Sequence, residues 1–143
     1  MDTVRDILQV KGNLVYTISP DSCVYEALET LEERNLGALV VVDDAGHVGG
    51  IFTERDYARK VILKGRSSKE TIVQDIMTEN PVFVSPDTKI ENCMQLMTQH
   101  FIRHLPVCDD GKLAGIVSIG DIVKHIINQK DYIIENLEHY IRS

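Results

Sequence analysis

Two short segments of the 143-residue chain carry residues able to do chemistry: GIFTERD, Gly50 to Asp56, and GIVSIGD, Gly115 to Asp121. Each places a hydroxyl three residues ahead of a carboxylate, Thr53 with Asp56 and Ser118 with Asp121. At a helix start this spacing makes a capping box, in which the hydroxyl accepts a bond from a free backbone N–H and the carboxylate reaches back. Asp is shorter than the Glu or Gln that commonly closes the box, and it occurs twice, which leaves room for a second task. An ionised carboxylate can accept hydrogen bonds from both hydroxyls of a ribose diol. The helix N-terminus and the Ser or Thr hydroxyl can receive phosphate oxygens. A nucleoside phosphate uses both features.

The elements that must position these corners are themselves repeated. SPD at Ser19 recurs at Ser85, an offset of 66 residues. Val24, Ala27, Leu28 and Leu31 have helical spacing, and the same offset gives Ile90, Cys93, Met94 and Met97. ALVVVDDAG from Ala38 and HLPVCDDG from His104 each read as strand, acidic turn, strand. Each half is thus strand, helix, strand, strand, helix, preceded by a short lead, VRDIL at Val4 and VQDIM at Val73. A unit of roughly 60 residues buries too little surface to be comfortably stable alone, so the halves are expected to pack together. The polar stretch Lys64 to Glu70, with Gly65 ending the first closing helix, reads as a linker. No Gly or Pro follows Gly120, so the last helix is free to run toward Ser143 along an apolar stripe of Ile133, Ile134, Leu137, Tyr140 and Ile141. That stripe either folds back on its own core or pairs with a second chain.

Composition removes several function classes. A net charge of -7, from 22 acidic and 15 basic side chains, opposes binding to nucleic acid or an anionic membrane. No apolar run approaches the ~20 residues needed to span a bilayer, and the N-terminus lacks a signal-peptide pattern, so a cytoplasmic protein is expected. Cys23, Cys93 and Cys108 have no CxxC spacing and sit among apolar neighbours, as buried thiols of a reducing compartment do. His104 with Cys93 or Cys108 is the nearest approach to a nucleophile and base. Yet those cysteines align with Ala27 and Val42, both core positions, and no nucleophile elbow or metal-ligand spacing occurs. An enzyme is not expected.

The doubled Gly, apolar, Ser or Thr, Asp corner, together with RHLPV, resembles the CBS domain family, and in particular its small stand-alone bacterial pairs. The resemblance covers Val4 to about His125. It implies an α+β fold of two β-α-β-β-α CBS repeats packed as a pseudo-twofold pair with an extended C-terminal helix. The segments would be 1–64 for the first repeat with its lead, 65–72 for the linker, 73–128 for the second repeat and 129–143 for the helix extension. It further implies one cleft in which Thr53, Arg55 and Asp56 face Thr78, Val82, Arg103, His104 and Pro106. There Asp56 holds the ribose, Thr53 a phosphate, Val82 the adenine, and Arg55, Arg103 and His104 supply positive charge. A second cleft would join Ser118 and Asp121 to Tyr16, Leu36, Gly37 and Ala38, with few phosphate donors and Lys11 poorly placed to serve. The implied function is a non-catalytic regulatory module of the Bateman type that senses energy or redox state. AMP is the favoured ligand, with ADP, ATP or NAD(H) as others, and the module is expected to act as a homodimer on a regulated partner protein. The alternatives are a ligand-free structural dimerisation module and an S-adenosylmethionine binder.

Overall fold

The computed structural model describes residues 2–142, the side chains of Tyr132, Tyr140 and Arg142 excepted. In chain order the elements are α1 (Val4–Lys11), β1 (Thr17–Ile18), α2 (Val24–Arg34), β2 (Ala38–Val42), β3 (Val48–Thr53), α3 (Glu54–Lys60) and a 3-10 turn (Ile62–Lys64). Then follow α4 (Val73–Ile76), β4 (Thr78–Glu79), α5 (Ile90–His100), β5 (His104–Asp109), β6 (Lys112–Ser118) and α6 (Ile119–Arg142). They divide into a central unit, Leu14–Val82, and a terminal unit that joins the segment before Leu14 to everything from Phe83 onward.

In the central unit a four-stranded sheet has the order β1-β2-β3-β4, with β1 parallel to β2 and the other pairs antiparallel. The β2–β3 register runs from Ala38 opposite Thr53 to Val42 opposite Val48, which fixes the first corner at the strand end. Val24, Ala27 and Leu31, the buried stripe of α2, share a core with Leu39, Val41, Phe52, Val61, Val73 and Ile76. In the terminal unit β5 and β6 pair antiparallel from His104 opposite Ser118 to Asp109 opposite Lys112. Both hairpins slip register at matching places, Val41/Val42 and Val107/Cys108. The opening strand expected in the second half contracts to one parallel bridge, Val84 with Val107. Pro86, which has no N–H, and the Ser85–Thr88 turn stop it there.

The leads do not stay with the repeats they precede. The N–H groups that begin α1 donate to Thr88 and Pro86 carbonyls, from Val4 at 2.9 Å and Arg5 at 2.8 Å. Those that begin α4 donate to Ser22 and Pro20, from Val73 at 2.8 Å and Gln74 at 3.0 Å. Each SPD turn therefore caps the lead helix of the other repeat, and satisfies donors that a helix start otherwise leaves unpaired. The return bonds match: Val24 N–H reaches Thr71 O at 2.8 Å, and Ile90 N–H reaches Asp2 O at 3.1 Å. Glycine is required where the leads cross the corner strands. A Cβ on Gly50 would lie 2.6 Å from Thr78 O, and one on Gly115 would lie 2.8 Å from Leu8 Cδ2.

Two expectations need correction, and one alternative left open is decided. Cys93 is buried, and burial pushes its thiol up to about 11, but Cys23 and Cys108 are half-buried and all three are free. Met94, matched to Leu28 by periodicity, is 39% exposed because it lies at the margin of the stripe formed by Ile90, Cys93 and Met97. The C-terminal stripe does not fold back: α6 is continuous through 128 and 129, and Ile133, Ile134, Leu137 and Ile141 are all exposed. The Tyr140 side chain and Ser143 lie outside the described residues.

Candidate functional site

The first corner is a complete capping box closed by Asp. Thr53 has extended backbone at the N-cap; its Oγ1 accepts from Asp56 N at 3.1 Å, and Asp56 Oδ2 accepts from Thr53 N at 3.0 Å. The same carboxylate takes three more partners. Thr53 Oγ1 donates to Oδ2 at 3.1 Å, Thr78 Oγ1 donates to Oδ1 at 3.0 Å, and Lys60 Nζ lies 3.0 Å from Oδ1. Lys60 also donates to Ile76 O at 3.1 Å. The Asp56 side chain is only 8% exposed, and its burial is compensated by partners on both carboxylate oxygens.

The second corner repeats the box with a different cation. Asp121 Oδ2 accepts from Ser118 N at 2.8 Å, and Asp121 N donates to Ser118 Oγ at 3.1 Å. Lys11, at the end of α1, places Nζ 2.6 Å from Asp121 Oδ2 and 2.8 Å from Ile116 O. Burial alone would push the Asp121 carboxyl up, but the bond from Lys11, the Ser118 N–H and the ammonium's charge outweigh it and hold it below the usual carboxylate range. The Asp121 side chain is 23% exposed, so it is the more accessible of the two carboxylates. Beside it lies a cavity of about 360 Å³ lined by Ile7, Val10, Lys11, Lys124, His125 and Asn128 as well as Asp121.

The remaining candidate residues group by unit. In the central unit Gly37 O accepts from Glu54 N at 3.3 Å, next to buried Ala38, the Cα partner of Thr53. Arg55 is exposed on α3, Leu36 and Val82 are half-buried, and the Tyr16 ring carries the Arg34 guanidinium 5.0 Å from its centroid. In the terminal unit Pro106 is buried, and Arg103 O accepts from Ile119 N at 2.9 Å at the start of α6. His104 pairs with Ser118 across the hairpin. Its burial, then the Lys11 charge, lower its pKa; Asp121 opposes this and Arg103 adds to it. These surroundings disfavour the imidazolium of His104.

Two lysines that pair with the corner carboxylates were missed or misjudged. Lys60 carried a legible signal, since it follows Asp56 by four residues on one helix face. Lys11 is not a poorly placed donor but the direct partner of Asp121, from 110 residues away, and no local pattern announces it. The position matching Lys60 holds His125, whose Nε2 lies 3.2 Å from Asp2 Oδ2 but out of line for a hydrogen bond.

The family model for the CBS domain matches residues 4–63 and 73–128. The CBS domain-containing protein CBSX3, mitochondrial, of Arabidopsis thaliana is 42% identical over 149 residues, covering 99% of this chain and 72% of that protein. The CBS-domain containing protein ATU1752 from Agrobacterium tumefaciens superposes with a TM-score of 0.83 at 43% identity, over 87% of this chain and 98% of that one. CBSX2, solved in complex with AMP, superposes with a TM-score of 0.72 at 31% identity, over 91% of this chain and 99% of its own. No helix of the described residues is long and apolar enough to cross a membrane. With both repeats matched by the model and the corner present in each, the chain belongs to the CBS domain family as a tandem pair of its domains.

Proposed function

We propose that this CBS pair is a non-catalytic regulatory module of a reducing, cytoplasmic compartment, that it binds an adenine nucleotide at its corner carboxylates, and that it acts on a partner protein as a homodimer. The observation that carries the reading is the repeated hydroxyl–carboxylate corner at a helix N-terminus, with each carboxylate paired with a lysine. Ribose hydroxyls are donors that can replace Lys11 on Asp121, or Thr78 and Lys60 on Asp56. A displaced Lys11 ammonium, beside the N-terminus of α6, then faces the phosphate. The cavity next to Asp121 falls within the usual range for small-ligand sites, roughly 300–1,000 Å³. AMP is favoured because CBSX2, at 31% identity, is solved with it. ADP, ATP, NAD(H) and S-adenosylmethionine share the adenosyl group that the corners would read.

The test is thermal unfolding with AMP, ADP, ATP, NAD(H), S-adenosylmethionine, adenosine and GMP. AMP is expected to stabilise by about 2.7 kcal/mol at a hundredfold excess over Kd. Adenosine and GMP are expected to do far less, and Lys11→Met is expected to narrow the gap between AMP and adenosine. If no adenosyl compound shifts unfolding at millimolar concentration, the binding reading falls and the ligand-free structural module replaces it.

A further inference from the structure

Among the described residues, the last helix carries an apolar seam left largely exposed by the rest of its chain. Val123, Ile127, Lys130, Ile134, Leu137 and Ile141 follow one another at intervals of four, three, four, three and four residues, the spacing of a coiled coil rather than of a helix lying on a globular core. The five apolar members are between 48% and 79% exposed, with Ile133 beside them at 56%. Over the roughly 27 Å that the seam spans at 1.5 Å per residue, the residues past His125 and Ile126 are exposed wherever their side chains are described. Two such seams laid together would remove on the order of 1,000 Å² from water, the size at which a specific interface becomes plausible.

We infer that α6 pairs with α6 of a second copy of this chain, antiparallel, through these residues. In that alignment Val123 packs on Ile141 of the partner subunit, Ile127 on Leu137 of the partner subunit, and Lys130 beside Ile134 of the partner subunit. Charge decides the direction. Antiparallel pairing sets Lys124 against Glu138 of the partner subunit, twice by symmetry, and brings the two Asp131 carboxylates opposite each other once, on the solvated flank beside Lys130, whereas a parallel pair leaves Lys124 and Glu138 without a counterpart and presses the two Lys130 ammoniums together across the core. Ile at the three alternate seam positions would by itself suit a parallel pair, but the buried like-charge contact opposes that arrangement. Lys130 then sets the register at a cost in affinity. The pairing rests on the homodimer of the proposed module and not on its ligand.

Sedimentation velocity of the full chain, with circular dichroism and thermal melting as fold controls, tests the seam. The unmutated chain is expected to dimerise at micromolar concentration, and Ile134→Lys with Leu137→Lys to raise the dimer Kd by roughly a hundredfold or more with an unchanged spectrum, because both side chains are already half in water. Lys130→Leu is expected to tighten the dimer. Lys124→Glu and Glu138→Lys should each weaken it by roughly two- to tenfold, and the two together should restore it. A dimer unmoved by the double lysine variant overturns the seam while the homodimer stands. A chain that stays monomeric at 100-fold higher concentration overturns both, and single charge variants without effect overturn the antiparallel direction.

Discussion

Asp56 and Asp121 solve one problem twice: each is a carboxylate mostly withdrawn from water and paired with a neighbouring ammonium, Lys60 in one corner and Lys11 in the other. The Lys11 ammonium has a second effect: burial of His104, then the Lys11 charge and that of Arg103, disfavour its imidazolium more than Asp121 favours it. This gives a pH dependence with a definite sign. A histidine whose folded pKa lies below its unfolded value of ~6.5 takes up more protons unfolded than folded, so its contribution to stability is present above that value and is lost as pH falls through it. Urea unfolding of the wild type is therefore expected to weaken from pH 7.5 to pH 5.5 more than that of His104→Gln. Parallel slopes for the two proteins would mean that His104 is not the group responsible.

At the scale of elements, each corner works because a strand hands its last residue to a helix while a lead passes close above it. Gly50 and Gly115 exist for that passage, but the obstacles differ. A Cβ at Gly50 meets the Thr78 carbonyl at 2.6 Å, a backbone atom of paired strand β4. One at Gly115 meets Leu8 Cδ2 at 2.8 Å, the end of a side chain with some freedom to turn. Gly50→Ala should therefore cost more than Gly115→Ala, roughly 2–4 against 1–2 kcal/mol, since overpacking against backbone cannot be relieved by a rotamer change. Denaturant titration of the two variants measures the difference, and equal losses would show that Leu8 is as confined as the β4 backbone. Gly50→Ala also pushes on Thr78, so the Thr78 bond to Asp56 is expected to suffer with it.

At the scale of the whole molecule, the exchange of leads makes each compact unit depend on a segment from the other repeat in sequence. Val4, Ile7 and Leu8 are 0%, 4% and 6% exposed within the terminal unit, and at about 1.5–3 kcal/mol for each fully buried side chain, α1 contributes up to several kcal/mol to a repeat that begins some seventy residues later. Deleting residues 1–13 should therefore cost the amides of β5 and β6 their protection against hydrogen exchange before those of β2 and β3. Earlier loss in β2 and β3 would assign α1 to the first repeat after all. The same dependence links Lys11 to Asp121, so the deletion is also expected to free the second corner's carboxylate.

The repeat itself was legible from residue types alone, because SPD, the i, i+3, i+7 stripes and the Ser or Thr to Asp spacing are local patterns that a backbone of fixed pitch converts directly into turns, helix faces and capping boxes. Lys60 was legible on the same grounds, being one helical turn from Asp56. Periodicity was less secure at the edge of a stripe, where Leu28 is covered and Met94 is not, since that depends on what lies opposite rather than on spacing. Which lead caps which turn, why Lys11 rather than Lys124 or Arg103 holds Asp121, and why the His104 imidazolium is disfavoured were decided only by the tertiary structure. Each depends on contacts between residues about 50 to 110 positions apart, such as Val73 with Ser22, Arg5 with Pro86 and Lys11 with Asp121. The two leads are so alike in sequence that local chemistry suits either turn, and the path of the whole chain makes the choice.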